Sequence, residues 1–239
     1  MAPPRIDLIR HAYAHRGLWS EGVPENSLAA FRSAAAAGLG AELDVRMTRD
    51  GELVVFHDRT LERMCGSSRQ IAEINFVELR GFRLPDNSRI PTLREALEAM
   101  AGLPTLIEVK IDPPNRRILP LIIEYMNQSP ATATLMSFDE PSVWRMTTLM
   151  PERQIGQLIE PVSDIGKDGV AHKAQTAIDV GCAYLAPHHS SLSAVRVGAP
   201  LVTWTVRTEE ELRLARKHGA APIFEGLNPA LAIPAGTPI

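Results

Sequence analysis

The sequence predicts an α/β protein built as a TIM (β/α)8 barrel with a small hairpin insertion after the second strand. Strand-like and helix-like stretches alternate along the whole chain. Eight short strands can be counted, marked by His15, Glu42, Ile107, Met136, Gln157, Tyr184, Thr203 and Phe224. Alternation alone leaves a doubly wound open sheet as the rival. The polar residues decide: His15-Arg16, Glu42/Asp44, Glu108/Lys110, Ser137, Trp204 and Glu225 fall at or near the C-terminal ends of their strands. A barrel brings those ends to one mouth, whereas an open sheet spreads them. A chain of 239 residues suits one such barrel, so 1–239 is read as a single domain.

Taken in order, 12–15 reads as the first strand and ends in His15-Arg16-Gly17. Asn26 is the expected N-cap of an alanine-rich helix over 27–37, which Gly38 closes. The second strand, 42–45, leads into Arg49-Asp50-Gly51, whose Asp-Gly pair signals a tight hairpin, and 52–56 returns as an extended run ending in His57-Asp58. A connecting region runs through Gly81. Thr92 with Glu95 fits a capping box at the head of a helix over 93–100. Strands are expected over 105–110 and 135–138, with a helix around 117–127 between them, and Asp139 and Pro141 lead into a helix over 142–150. Further strands are expected at 155–159, 183–186, 201–206 and 223–224, with helical stretches near 171–180 and 208–218.

Chemistry concentrates in 40–58. Glu42 and Asp44 stand two residues apart in a strand, so both carboxylates point to one face. Like charges on a buried strand repel and are costly unless compensated, and a bound cation is the obvious compensation. Glu108 and Lys110 repeat the spacing. Three carboxylates without cysteine form a hard oxygen-donor set, which suits one divalent cation, Mg2+ or Ca2+, better than zinc. A divalent ion, Arg16 and Lys110 set against three carboxylates leave one positive charge, room for a singly charged anion such as a phosphodiester. His15 and His57 then stand beside that anion as a general acid and base would, with ordinary pKa values of about 6.5. The competing reading is a salt-bridge network of Glu42 and Asp44 with Arg16, Arg46 or Lys110, which leaves the histidines unexplained.

Composition removes other classes. With 45% hydrophobic and 22% charged residues and a net charge of -3, the chain is globular and shows no basic footprint for nucleic acid. Cys65 and Cys182 lie far apart without metal-ligand spacing and are read as unpaired thiols. Arg5, Asp7, Arg10 and His11 interrupt any apolar run that a signal peptide would need, and no uncharged apolar stretch approaches a bilayer span. The expectation is a cytoplasmic protein without stable membrane insertion, acting on a small molecule, of unknown oligomeric state.

His15-Arg16-Gly17, Pro24-Glu25-Asn26, Glu42-Leu43-Asp44, His57-Asp58, Pro91-Thr92-Leu93, Glu108-Val109-Lys110, Ser137-Phe138-Asp139 and Trp204-Thr205-Val206, in this order, resemble the glycerophosphodiester phosphodiesterase family. The resemblance implies a metal-dependent hydrolase that releases sn-glycerol 3-phosphate and an alcohol. It implies Glu42, Asp44 and Glu108 as metal ligands, His15 and His57 as the catalytic acid/base pair, and Arg16 and Lys110 on the phosphate. Phe138 and Trp204 look like an apolar wall beside the glycerol or the leaving group. Water and a substrate hydroxyl both remain open as the nucleophile.

Two positions depart from the pattern: Arg207 stands where such proteins often have Asn, and Glu225-Gly226 where they often end the last strand in Asp. Arg207 is expected either to meet an acidic leaving group or to be solvated. Asp58 either orients a histidine or caps the following turn. His188-His189 is read as the start of a serine-rich loop, with His189 near the mouth. Two rival functions stay open. One is a catalytically silent binding barrel, against which the two histidines argue. The other is a lysophospholipase D-like hydrolase of the same superfamily, whose mouth would draw on Leu18-Trp19 and Phe82.

Overall fold

The structure is a computed structural model that describes residues 5–112 and 116–233. Its strands are β1 (Tyr13–Ala14), β2 (Gly40–Met47), β3 (Leu53–Val55), β4 (Thr105–Val109), β5 (Ala133–Ser137), β6 (Ile155–Ile159), β7 (Tyr184–Pro187), β8 (Leu201–Val206) and β9 (Ala220–Phe224). All but β3 pair in parallel, each with its neighbour, and β1 bridges β9 and β2, closing an eight-stranded barrel. β3 lies antiparallel on β2, with Val45 opposite Val55 and Met47 opposite Leu53.

The surrounding helices are α1 (Leu28–Ala36), α2 (Glu62–Cys65), α3 (Phe76–Leu79), α4 (Leu93–Ala99), α5 (Ile118–Gln128), α6 (Glu140–Leu149), α7 (Val162–Asp179), α8 (Glu209–Lys217) and α9 (Pro229–Ala232). The Thr92 capping box forms as expected, and Asp139 caps α6 by accepting from the Ser142 amide. After β7 a 3-10 turn, His189–Ala194, takes the place of a helix. Among the described residues no helix is long and apolar enough to cross a membrane.

Three local expectations are corrected. Ser27, not Asn26, caps α1 by accepting from the Ala30 amide at 3.1 Å, because Asn26 is left-handed (φ 54) and its side chain goes elsewhere. α7 starts nine residues before the expected 171, with a break at Gly166 (φ 71), whose lack of a Cβ permits that backbone. β9 runs back to Ala220 although Pro222 lacks the amide a ladder needs; β8 accommodates it by a register shift between Thr203 and Val206.

The period-2 alternation of each strand sorts its residues into two cores. Outward residues such as Leu43, Val45, Ile107, Val109, Leu135 and Ile159 pack against the helices. Inward residues fill the barrel: Tyr13, Leu106, Met136, Leu158, Tyr184, Ala186, Val202 and Ile223. The two tyrosines are large, and glycine stands opposite each. A Cβ on Gly40 would lie 2.6 Å from the Tyr13 ring, and one on Gly156 only 2.2 Å from Tyr184. Above this apolar floor, the next inward residue of nearly every strand is polar or aromatic, which places the site at the C-terminal mouth. The excursion between β3 and β4 carries its own small core of Val54, Phe56, Leu61, Ile71, Ile74, Leu79, Leu84 and Ile90. It holds His57 at the rim.

Candidate active site

Adding two to the last inward core residue of each strand gives the lining of the mouth: Tyr13 leads to His15, Met136 to Phe138, Ala186 to His188, Val202 to Trp204 and Ile223 to Glu225. All but Glu225 line one cavity of about 210 Å3, together with Arg16, Glu42, His57, Glu108, Lys110 and Arg207. The residues expected from sequence to act together are thus brought together.

At its base Glu42, Asp44 and Glu108 each offer an oxygen within 4.8 Å of the others, and all three are buried among strands. β2 and β4 pair with Asp44 opposite Glu108, so the ladder register itself sets two carboxylates side by side. Lys110 Nζ spans them, 2.9 Å from Asp44 Oδ1 and 2.7 Å from Glu108 Oε1. Asn26 Nδ2 donates to Asp44 Oδ2 at 2.8 Å, and the Arg16 amide donates to Glu42 Oε2 at 3.2 Å. Two left-handed residues, Arg16 (φ 60) and Asn26 (φ 54), make these contacts, and the Asn26 amide donates to the Arg16 carbonyl at 2.8 Å. Strain at two neighbouring residues marks a site whose geometry is imposed by its surroundings.

The electrostatics are uneven. Burial alone would raise Asp44, yet Lys110 and Arg16 hold its carboxyl well below the usual range. Glu42 is pushed far upward, first by burial and then by Asp44 and Glu108, while Glu108 is raised by burial against the pull of Lys110. Burial opposes the Lys110 charge, but Asp44 and Glu108 more than offset it and raise its pKa. The cluster is short of positive charge at Glu42. Three carboxylate oxygens and the buried Asn26 Oδ1, which has no hydrogen-bond partner among the described residues, fit a hard cation.

Each histidine is held from behind. His15 Nδ1 meets Glu225 Oε2 at 2.6 Å, and Arg207 Nε donates to Glu225 Oε1 at 2.6 Å. His57 Nδ1 meets Asp58 Oδ1 at 2.8 Å, and Arg63 Nε donates to Asp58 Oδ2 at 2.7 Å. A carboxylate only accepts, so each Nδ1 carries the proton of the neutral ring and each Nε2 keeps its lone pair. His15 Nε2 lies 3.9 Å from Glu42 Oε2. Burial would raise Glu225, but His15 and Arg207 bring it down to about 2. Burial lowers the pKa of His57, with Asp44 pulling the other way. Arg63 also grips Glu25, at 2.7 and 3.0 Å, and Glu25 in turn takes Arg16 at 2.9 Å.

Asp58 therefore orients a histidine, and Arg207 is paired as well as solvated, its side chain 55% exposed. Arg46 turns from the carboxylates to the His57 carbonyl (2.9 Å) and Asp112 (3.1 Å). His188 rather than His189 lines the cavity, while His189 lies 3.5 Å from Glu211. Phe138 and Trp204 both line the cavity, edge to face at 5.4 Å, and Trp204 Nε1 donates to the Ala186 carbonyl at 2.8 Å. Arg63 carries no signal in the sequence pattern, and neither the Glu25 bridge nor the Glu225 support was expected from it. For Glu225 a signal existed, its place two residues after inward-facing Ile223.

A (β/α)8 barrel whose mouth sets an acidic, cation-fitting cluster between two carboxylate-backed histidines defines a phosphodiester hydrolase class of site. The model of the glycerophosphoryl diester phosphodiesterase family matches residues 15–225, and the chain belongs to that family. It is an enzyme of glycerophosphodiester hydrolysis. Among its relatives, the glycerophosphodiester phosphodiesterase of Caldanaerobacter subterraneus subsp. tengcongensis is 28% identical over 232 residues, covering 88% of this chain and 91% of the relative. A Mycobacterium tuberculosis relative, probable glycerophosphodiester phosphodiesterase 2, is 38% identical over 112 residues; that match spans 45% of this chain and 42% of the relative. In structure the chain is similar to an Oleispira antarctica phosphodiesterase solved with sn-glycerol-3-phosphate, with TM-score 0.75, 23% identity and coverage of 90% and 92%. That likeness supports the fold.

Proposed function

We propose that the chain hydrolyses glycerophosphodiesters to sn-glycerol 3-phosphate and an alcohol, using one divalent cation, Mg2+ or Ca2+, with His15 and His57 as its acid/base pair. Glu42, Asp44 and Glu108 would hold the cation. When bound, it supplies charge neutralisation and polarisation of the phosphoryl oxygens. Arg16 and Lys110 bind the phosphoryl group and orient it, Arg16 from the rim and Lys110 from the floor. One histidine accepts the nucleophile's proton at Nε2, and the other, protonated, delivers a proton from Nε2 to the leaving alkoxide. Phe138 and Trp204 exclude water from one side of the reacting group.

The observation that carries this reading is that both rings have Nδ1 fixed by a carboxylate, which leaves both Nε2 atoms for proton transfer beside the acidic cluster. A silent binding barrel has no use for that arrangement. The product bound to the Oleispira antarctica structure is the one expected here.

The test is release of glycerol 3-phosphate from glycerophosphocholine by chelator-stripped protein, with and without added Mg2+ or Ca2+. Metal-dependent release, cut by about 10²–10⁴-fold in His15→Ala and His57→Ala, is expected. Folded protein that releases nothing with either metal, or a histidine variant with near-full activity, overturns the reading.

A further inference from the structure

His188 is a chemistry-bearing residue of the cavity to which the reaction above gives no part. It sits two residues beyond the inward-facing Ala186, forms a parallel bridge with Trp204, and lines the catalytic cavity on the side of Trp204 and Arg207. Its ring stands edge-on to Trp204 at 5.0 Å and lies 4.1 Å from His189.

The hydrogen bonds of the ring fix its tautomer. His188 caps the 3-10 turn that follows it: the Ser190 amide donates to Nδ1 at 3.3 Å, and Ser190 Oγ lies 2.8 Å from the same atom. A backbone amide can only donate, so Nδ1 is the acceptor and the neutral ring carries its proton on Nε2. Protonation would set an N–H at Nδ1 against the Ser190 N–H. Burial, with His189 alongside, agrees in direction and lowers the pKa to about 4. Nε2 has no hydrogen-bond partner among the described residues. The mouth thus holds a third histidine opposite in kind to His15 and His57, which keep a lone pair at Nε2 where His188 presents a donor.

We infer that His188 is a specificity residue whose Nε2–H donates to a hydroxyl of a polyol group of the substrate seated against Trp204. A neutral donor does not compete with Arg16 and Lys110 for the phosphoryl group. It suits an uncharged oxygen, and the aromatic faces of Trp204 and Phe138 suit the C–H bonds of a hydroxylated carbon chain. The inference rests on the reaction proposed above. Two parts of the substrate offer that chemistry, the glycerol half and a hydroxylated leaving alcohol.

Three diesters separate the sources. Glycerophosphoglycerol has hydroxyls on both halves, glycerophosphoethanolamine on the glycerol half alone, and bis(p-nitrophenyl) phosphate on neither. In His188→Phe, kcat/KM for glycerophosphoglycerol should fall about tenfold relative to that for bis(p-nitrophenyl) phosphate, mainly through KM. His188→Asn, whose oxygen can cap Ser190 and whose amide can still donate, should recover most of it. A loss shared by glycerophosphoethanolamine assigns the hydroxyl to the glycerol half, and a loss confined to glycerophosphoglycerol assigns it to the leaving alcohol. An equal loss on all three diesters, with His188→Asn no better than His188→Phe, makes the residue purely structural and overturns the inference, as does no loss at all. If the wild type cleaves only bis(p-nitrophenyl) phosphate, the proposed reaction is at fault. The Ki of sn-glycerol 3-phosphate in that assay then decides: a weaker Ki in His188→Phe supports the hydroxyl contact, and an equal one overturns it.

Discussion

Replacing Glu225 by glutamine keeps the shape of the side chain and removes its charge, and the consequence can be worked from two distances. One oxygen of Glu225 receives Arg207 Nε and the other His15 Nδ1, both at 2.6 Å. Both partners donate, which a carboxylate satisfies and an amide cannot. If the amide oxygen stays on Arg207, the amide nitrogen faces His15 Nδ1, and the ring must carry its proton on Nε2, where it cannot accept one. If the oxygen turns to His15, Arg207 is displaced into water. For a side chain 55% exposed that displacement costs about 1 kcal/mol, so the wrong tautomer wins by about fivefold. A protonated His15 also loses a charge-assisted bond for a neutral one, about 1.5 kcal/mol or roughly tenfold. The product is a drop of about 50-fold in kcat. Adding Arg207→Ala frees the amide oxygen for His15 and should return about fivefold, leaving the charge part in place. Initial rates of the wild type, both single variants and the double variant, at saturating diester and metal, form the cycle that measures this. A Glu225→Gln enzyme within threefold of wild type, or an Arg207→Ala change that deepens the loss, refutes the reasoning.

Three further outcomes follow from the same geometry. Stripping the cation should lower the thermal midpoint, because the three carboxylates then depend on Lys110 and Arg16 alone for opposite charge; at a hundredfold excess of metal over Kd the difference is about 2.7 kcal/mol, read by scanning calorimetry with and without chelator. For His188 the folded pKa of about 4 lies below the ordinary 6.5, so the unfolded chain takes the proton first as pH falls: its contribution is complete above about pH 6.5 and is lost on the way down to 4. For a partly buried ring that is about 1–2 kcal/mol, and denaturant titrations at pH 7 and pH 4.5 should show His188→Asn losing less stability than wild type. Gly156→Ala should destabilise by about 1–3 kcal/mol in urea, because the new methyl would lie 2.2 Å from the Tyr184 ring in the filled barrel; a neutral result would mean that the floor is loosely packed.

How much of this was legible depended on whether a residue's role is set by strand periodicity or by a distant partner. Glu42/Asp44 and Glu108/Lys110 are adjacent inward positions on neighbouring strands, so their spacing alone announced a shared face, and the ladder that sets Asp44 opposite Glu108 obeys it. Asn26 misled because asparagine favours both an N-cap and the left-handed backbone, and only the tertiary pull of Asp44 selects the second. Glu25 and Arg63 lie 38 residues apart and meet across the mouth, a pairing no local pattern contains. His188 follows Pro187, and His189 and two serines come after it, which reads as loop. The turn is real, but its N-cap, His188, also directly follows β7, two residues beyond the inward-facing Ala186.

The two histidine supports are alike in chemistry and unlike in setting, which argues that they do not contribute equally. Behind His15, Glu225 is 16% exposed, in a strand-end position fixed by the barrel; behind His57, Asp58 is 26% exposed, on the excursion that packs through its own core. The ring exposures follow the same order, 12% for His15 and 33% for His57. Charge pairs weaken as water reaches them, so the His15 support should resist salt better. His57 has a compensation of a different kind. Its arginine, Arg63, also holds Glu25, and Glu25 holds Arg16. The rim that orients His57 is therefore also the rim that orients Arg16, the side chain proposed to bind the phosphoryl group, so loss of Arg63 should disturb both. The barrel thus fixes His15, and the excursion fixes His57 through the same contacts that hold Arg16, so the two halves of the proposed acid/base pair are set by different parts of the chain.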